Sequence, residues 1–459
     1  MKTILCNRGY IINKKSYNKD KIDKIKNELN VKPFSINNNF YNNNNFKVYL
    51  ENTTQLCIPK YYGLEKFGNP DINDIEKGID INIEFKGTLR DYQEKILNIF
   101  IPKFKKLQGG ILCIPPGKGK TVLAIYLISL LKKKTLVVVH KSFLVNQWKK
   151  RLEEYLPNSR IGIIQQDKIE IEDKDIVIGM LHSISMKNYD SEIFEDFGLT
   201  IIDEVHHLGA QVFSNLFKKV NTDYMCGLTA TPKREDKLEK VIYWHIGNIL
   251  YYEDITINQD IKVMICNYTT INKLFVEVIN NKTKNAQIST MISNICNIQD
   301  RTKIIVNIIL EIKKNEPLRK MLILSERLEH LTDMKNIVDS QTKITTSKYI
   351  GGMKEEKLIK AEDADLIFST YQMSSEGLDI PSLNTIILTT SRKKVEQSVG
   401  RILRKQSGYD VQPLIVDIVD NIKQFKNQGS IRKRYYKKIT KIENINIYKN
   451  EDEKFIKQN

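Results

Sequence analysis

From about Leu89 onward, short apolar runs alternate with amphipathic stretches, and this rhythm predicts parallel sheets flanked by helices. Ile111–Ile114, Thr135–His140, Asp175–Met180, Leu199–Asp203 and Met225–Thr229 read as buried strands: each is a short run rich in Val, Ile, Leu and Met. Helical stretches fill the intervals, for example Thr121–Lys132 and Ser142–Tyr155. A second cycle predicts strands at Met321–Ser325, Asp365–Thr370, Thr385–Thr390 and Leu414–Val419. The first sheet is expected to end, and the second to begin, between Tyr251 and Lys303. The fold class is therefore α/β, with two tandem parallel-sheet domains over residues 86–255 and 256–422. Residues 1–85 form a small N-terminal accessory region, and 423–459 read as a basic tail.

Composition changes this picture little. A chain of 459 residues suits two or three domains. No apolar run approaches the ~18 residues of a membrane span, and Met1–Arg8 is too short in apolar residues for a secretory signal, so an intracellular setting is expected. Six dispersed cysteines without a C-x-x-C pair fit a reducing compartment better than a zinc site or a disulfide framework. A net charge of +17 suits a polyanionic partner, but an A+T-rich genome would also enrich Lys, Asn and Ile, as the Asn run at 37–45 suggests. Charge alone leaves both readings standing.

The chemistry is carried by short motifs. Ile114-Pro115-Pro116-Gly117-Lys118-Gly119-Lys120-Thr121 lies between a predicted strand and a predicted helix, the context of a phosphate loop. Pro116, Gly117, Lys118 and Gly119 would form the loop, and the two glycines admit close backbone approach to phosphates. Lys120 would neutralise the β- and γ-phosphates of a nucleoside triphosphate, and the Thr121 hydroxyl would ligate Mg2+. Asp203-Glu204 follows the apolar run Leu199–Ile202, so Asp203 is placed as a Mg2+ ligand and Glu204 as base for the attacking water. Lys141 and Ser142, at the start of a helix, could hold a nucleic-acid phosphate, whereas Trp148 reads as core rather than a base-stacking platform. Gln397, Arg401 and Arg404 share one face of a helix expected over Val395–Arg404. A guanidinium there suits the γ-phosphate in a transition state, with the second domain closing over the nucleotide. The last 38 residues hold eleven Lys/Arg against four Asp/Glu, including Arg432-Lys433-Arg434-Tyr435-Tyr436-Lys437-Lys438. They suit a phosphate backbone with base stacking, or a solvated helix.

Taken together with Thr229-Ala230-Thr231, Glu376–Pro381 and Gln397–Arg404, these motifs from about Leu89 to Asp420 resemble the superfamily 2 helicases. That resemblance implies two RecA-like domains. It implies an adenine-reading site at Arg90 and Gln93, within Leu89-Arg90-Asp91-Tyr92-Gln93, and a ribose contact through Gly377 and Asp379. It also implies nucleic-acid contact near Ser369 and Thr370, and coupling of hydrolysis to domain movement through Thr229 and Thr231. Those two hydroxyls are expected to bond the Asp-Glu pair, unless they only cap a strand end. Arg234-Glu235-Asp236 and the DEVHH sequence at 203–207 resemble the XPB/UvsW-like branch. Leu144–Trp148 resembles the related poxvirus transcript-release helicase and its relatives in large DNA viruses. The branch implies an ATP- and Mg2+-dependent motor moving 3′-to-5′ on DNA in transcription, recombination or repair, with transcription machinery as a partner. With the Asn/Lys/Ile bias it also implies a viral source, so virion or host cytoplasm. Arg234 is carried over as a nucleic-acid or coupling residue. The motor motifs do not distinguish the sugar, so an RNA helicase is one alternative, and a non-unwinding ATP-driven release factor is another. A nuclease is disfavoured because no second acidic or histidine constellation lies outside the motor.

Overall fold

A computed structural model describes residues 2–33, 45–207, 210–231, 237–254, 260–376, 378, 380–403, 411–452 and 454–458. The chain divides into two compact units, Met1–Asp254 and Ile255–Asn459.

The first unit holds an eight-stranded sheet. From one edge its order is Lys168–Ile169, Ile161–Gln165, Ile176–Met180, Thr135–Val139, Leu199–Ile202, Tyr224–Thr229, Gly109–Cys113 and Ile249–Tyr252. All pairings are parallel except the one at the Lys168–Ile169 edge. The central strands are buried on both faces, as their unbroken apolar sequences require. One face packs Ile125, Val137, Trp148, Ile178 and Leu228; the other packs Ile111, Leu136, Val138, Ile202 and Met225. The strands Thr135–Val139, Leu199–Ile202, Tyr224–Thr229 and Gly109–Cys113 are consecutive neighbours, so their carboxyl ends emerge side by side at one edge.

Residues 3–33 and 45–74 form a small accessory layer at the N-terminus. Its five-stranded sheet runs Leu50–Glu51, Gln55–Ile58, Gly9–Asn13, Thr3–Cys6 and Ile72–Asp74. It docks at the amino edge of the large sheet, away from the motif-bearing edge. Buried Lys60 donates to the carbonyls of Thr222 (3.2 Å) and Asp223 (2.7 Å), just before the strand Tyr224–Thr229 begins. The Tyr61 hydroxyl donates to the Gln108 carbonyl (2.6 Å), just before Gly109–Cys113 begins. Tyr62 meets Trp244 edge-on.

The second unit carries another eight-stranded sheet: Thr346–Tyr349, Leu366–Thr370, Met321–Ser325, Thr385–Leu388, Leu414–Asp420, Lys262–Tyr268, Ile445–Glu451 and Lys454–Lys457. The strand Leu414–Asp420 pins helices on both faces, because Asp417 and Asp420 are three residues apart and so point to opposite sides. Asp417 is held bidentately by Arg432 of the helix Lys423–Ile439, at 2.8 Å for both bonds, and also accepts from the Tyr436 hydroxyl. Asp420 is held by Arg301 of the helix Gln299–Asn315, at 2.6 and 2.9 Å. Both pairs are fully buried.

This arrangement corrects the expected tail. Residues after 422 supply a core helix and two strands, and Ile445–Glu451 pairs in parallel with Lys262–Tyr268. Tyr435 and Tyr436 are buried beside Val395, Val399 and Ile439 and present no stacking surface. The helix expected over Val395–Arg404 is also shorter, spanning Glu396–Val399, with Arg401 in the turn that follows.

Candidate nucleotide and coupling site

At the carboxyl edge of the first sheet, the strand Gly109–Cys113 passes through residues 114–119 into the helix Lys120–Leu131. Gly117 (φ 82°) and Gly119 (φ 80°) both take the left-handed conformation that side chains resist. A Cβ on Gly119 would run into the Gln93 amide. The loop therefore keeps its backbone bare in front of a helix N-terminus, which suits an anion. Lys120 Nζ lies 3.7 Å from Glu204 Oε1 and 3.5 Å from the Ile114 carbonyl, so its charge stays over the loop. Lys118 pairs with Glu253 (3.1 Å) and stands over the Tyr92 ring. Thr121 opens the helix beside Lys120, and Pro116 lies half-buried in the loop.

Gln93 is buried, and its amide has a task within the protein. Oε1 accepts from the Arg90 N–H (3.0 Å), and Nε2 donates to the Lys118 carbonyl (3.3 Å). It ties the start of the helix Asp91–Leu107 to the loop, so adenine reading would have to use the second lone pair and second N–H of the amide. Arg90 is exposed and bonds the Tyr92 hydroxyl.

Asp203 and Glu204 follow the strand Leu199–Ile202 directly. Asp203 is 8% exposed, and its Oδ2 accepts from the Trp148 indole N–H at 2.9 Å. Burial, with the Glu204 charge next to it, pushes the Asp203 carboxyl up to about 6; the Trp148 bond and the Lys120 charge act in the opposite direction. Glu204 has φ 50°, a left-handed turn. Hydroxyl and carboxylate oxygens at Thr121 and Asp203 are the donor types a hard divalent cation accepts, and a phosphate loop next to them fits Mg-bound nucleotide.

Thr229 does not bond the two carboxylates directly, as the sequence suggests. Its hydroxyl meets His206 Nδ1 at 2.7 Å, and that same nitrogen lies 3.4 Å from Glu204 Oε2. The Thr229 hydroxyl also joins the backbone of Thr231, donating to its carbonyl (2.8 Å) and facing its N–H (3.2 Å). An imidazole therefore stands between the acid pair and the threonine segment, bonded to Thr229 and within ion-pair distance of Glu204. Lys141 caps the helix Ser142–Tyr155 without a side-chain capping bond, and Ser142 is exposed at its first turn.

Within the second unit, Arg401 Nη1 donates to the Leu378 carbonyl (2.8 Å), bringing two predicted motifs together. Ser398, next to Gln397, meets Ser374 hydroxyl to hydroxyl at 3.0 Å. Ser369 is fully buried, and its hydroxyl donates to the Tyr349 carbonyl. Thr370, half-buried, accepts from the Met373 N–H at the start of the next helix. Arg234, Gly377, Asp379 and Arg404 lie outside the described residues.

Two residues escaped the sequence reading. Trp148 is core as expected, but a buried indole N–H needs a partner, and that requirement was the available signal. His206 lies within the DEVHH sequence, but its bond to Thr229 depends on the turn at Glu204 facing the neighbouring strand.

Residues 86–234 match the family model described as type III restriction enzyme, res subunit. "Putative ATP-dependent RNA helicase L396" of Acanthamoeba polyphaga mimivirus is 38% identical over 449 residues, covering 95% of this chain and 86% of that protein. "DNA 3'-5' translocase XPB2" of Sulfurisphaera tokodaii is 27% identical over 411 residues, covering 78% and 89%. In fold, a DNA-bound type ISP restriction-modification enzyme, LlaBIII, matches with a TM-score of 0.55 at 17% identity, covering 84% of this chain and 35% of that one. The chain belongs to superfamily 2, among the ATP-dependent helicases.

Proposed function

We propose that this helicase is a Mg2+-dependent motor that moves 3′-to-5′ on DNA and serves viral transcription, recombination or repair inside the infected cell or virion. The observation that carries the motor reading is the continuous contact from Lys120 to Glu204, His206 and Thr229 along one sheet edge. A charge change at the phosphates can thereby reach the threonine segment without leaving the first unit. In this reading Gly117, Gly119, Lys120 and Thr121 hold the triphosphate, with Thr121 and Asp203 as ligands of Mg2+, which supplies charge neutralisation on the phosphate oxygens when bound. Glu204 takes the proton of the attacking water, and its left-handed turn holds the carboxylate next to Lys120. Gln397 and Arg401 supply the second unit's contribution to transition-state charge. Lys141, Ser142 and Thr370 are nucleic-acid contacts.

The DNA preference draws on the Arg234-Glu235-Asp236 segment and on the relative named as a DNA translocase. RNA is the second reading, favoured by the mimivirus relative named as an RNA helicase. Duplexes with a 3′ or a 5′ single-stranded tail, made in DNA and in RNA, test both substrate and polarity. Displacement of 3′-tailed DNA duplexes is expected. Displacement confined to RNA duplexes, or to 5′ tails, overturns that part of the reading.

A further inference from the structure

The helix Ser142–Tyr155 begins at the same sheet edge as Asp203, because the strands that precede them, Thr135–Val139 and Leu199–Ile202, are parallel neighbours. Six residues into this helix, about 9 Å along its axis, Trp148 is 1% exposed and donates its indole N–H to Asp203 Oδ2 at 2.9 Å. An indole nitrogen can only donate, and an ionised carboxylate can only accept, so the bond has one sense. Leu144, Val145 and Leu152 of the same helix are buried with Trp148 in one core cluster. The helix is thus packed as a rigid lever, with exposed Ser142 at one end and the indole N–H further along.

We propose that Trp148 is a positioning residue that makes strand occupancy at the Lys141–Ser142 helix start felt at the Asp203 carboxylate. The inference rests on the reading of Lys141 and Ser142 as nucleic-acid contacts and of Asp203 as a Mg2+ ligand. A strand phosphate drawn to the helix start shifts the lever, and the indole orients the carboxylate oxygen. Stimulation of hydrolysis by nucleic acid then needs no contact between the strand and the acid pair.

Trp148→Phe keeps an aromatic ring in the core and removes the donor. Loss of such a partner bonded to a metal ligand costs roughly 10–100-fold in metal affinity or activity. The Mg2+ concentration for half-maximal hydrolysis is expected to rise by about that factor in Trp148→Phe, and stimulation by single-stranded DNA is expected to fall towards the unstimulated rate. Strand affinity without nucleotide should stay as in the wild type. Leu152→Ala, in the same helix and cluster but without a polar link, should lower the melting temperature and leave the stimulation ratio intact. A readout independent of turnover exists because the chain holds two tryptophans, Trp148 and Trp244. In a Trp244→Phe background the remaining emission comes from Trp148 and is expected to change when single-stranded DNA is added. Wild-type stimulation with an unaltered ratio and Mg2+ requirement in Trp148→Phe overturns the inference while leaving the motor reading in place. Equal collapse of the ratio in Leu152→Ala also overturns it, since packing alone would then be the cause. A wild type that no polynucleotide stimulates defeats the motor reading instead.

Discussion

His206 Nδ1 lies 2.7 Å from the Thr229 hydroxyl and 3.4 Å from Glu204 Oε2, so one ring nitrogen faces both the acid pair and the threonine segment. Two predicted motifs are therefore joined by a residue that neither motif made prominent. Thr229→Ala removes the hydroxyl at that junction and leaves the phosphate loop untouched. It is expected to keep nucleic-acid-stimulated ATP hydrolysis while strand displacement falls by an order of magnitude or more. Measuring both on one preparation decides it: proportionate loss of both would mean Thr229 serves hydrolysis rather than coupling.

Glu204→Gln keeps size and removes the base, so Mg·ATP should still bind while turnover drops to a small fraction. Lys120→Ala should weaken binding itself, because its ammonium is held over the loop. Arg401→Ala should leave nucleotide affinity largely intact and cut the rate by ~10³–10⁵, the range for a transition-state arginine. Equilibrium binding of a fluorescent nucleotide beside steady-state hydrolysis separates the three. Near-normal turnover in both Glu204→Gln and Lys120→Ala would remove the site from consideration.

Acid sensitivity should come from buried neutral histidines. Burial holds His330, which faces the Ser325 hydroxyl at 3.1 Å, down at about 3, with the Arg301 charge adding to the effect. Burial does the same to His245, stacked on Phe217, with Lys218 adding to it. Between the ordinary value near 6.5 and the folded value near 3, the unfolded chain binds protons that the folded chain refuses. Stability is therefore lost as pH falls through that window, by about 2 kcal/mol per histidine at pH 5. Denaturant unfolding of His330→Gln at pH 7.5 and pH 5 should show a smaller drop than the wild type by about that amount. An equal drop would place the acid sensitivity elsewhere.

The exposed side of the helix Lys423–Ile439 carries Lys423, Lys426, Arg434, Lys437 and Lys438, and the helix has no acidic residue. Replacing Lys423, Lys426, Arg434 and Lys437 with Gln should flatten the salt dependence of strand binding, by roughly 0.7 in log–log slope for each phosphate no longer neutralised. Hydrolysis without nucleic acid should persist. Arg432→Ala is a different experiment, since stranding the buried Asp417 carboxylate costs about 3–5 kcal/mol and should unfold the second unit. An unchanged salt slope in the four-Gln variant would take this face out of the binding surface.

The sequence announced most of what local chemistry determines. Five of the eight strands of the first sheet and four of the eight of the second, the helix Ser142–Tyr155, and the loop from Ile114 to Thr121 follow from apolar runs, glycine placement and spacing. What it hid depends on distant partners. Ile445–Glu451 becomes a strand because it pairs with Lys262–Tyr268, some 180 residues earlier, while its own sequence is polar enough to read as a tail. Basic residues dominated the reading of the helix before it, yet Arg432 is buried against Asp417, a pairing that spacing along the chain cannot reveal. Ser369 looked available at a strand end and is closed off by the Tyr349 carbonyl of a neighbouring strand. Trp148 and His206 gain their roles from a helix and a turn meeting at one sheet edge.

The central claim, that ATP hydrolysis here is driven by an engaged polynucleotide, is tested most directly by the steady-state ATPase rate of the full chain with and without single-stranded DNA or RNA. The account predicts a rate raised by nucleic acid, more by DNA than by RNA, and a stimulation that fades with salt. A rate indifferent to every polynucleotide added would contradict it.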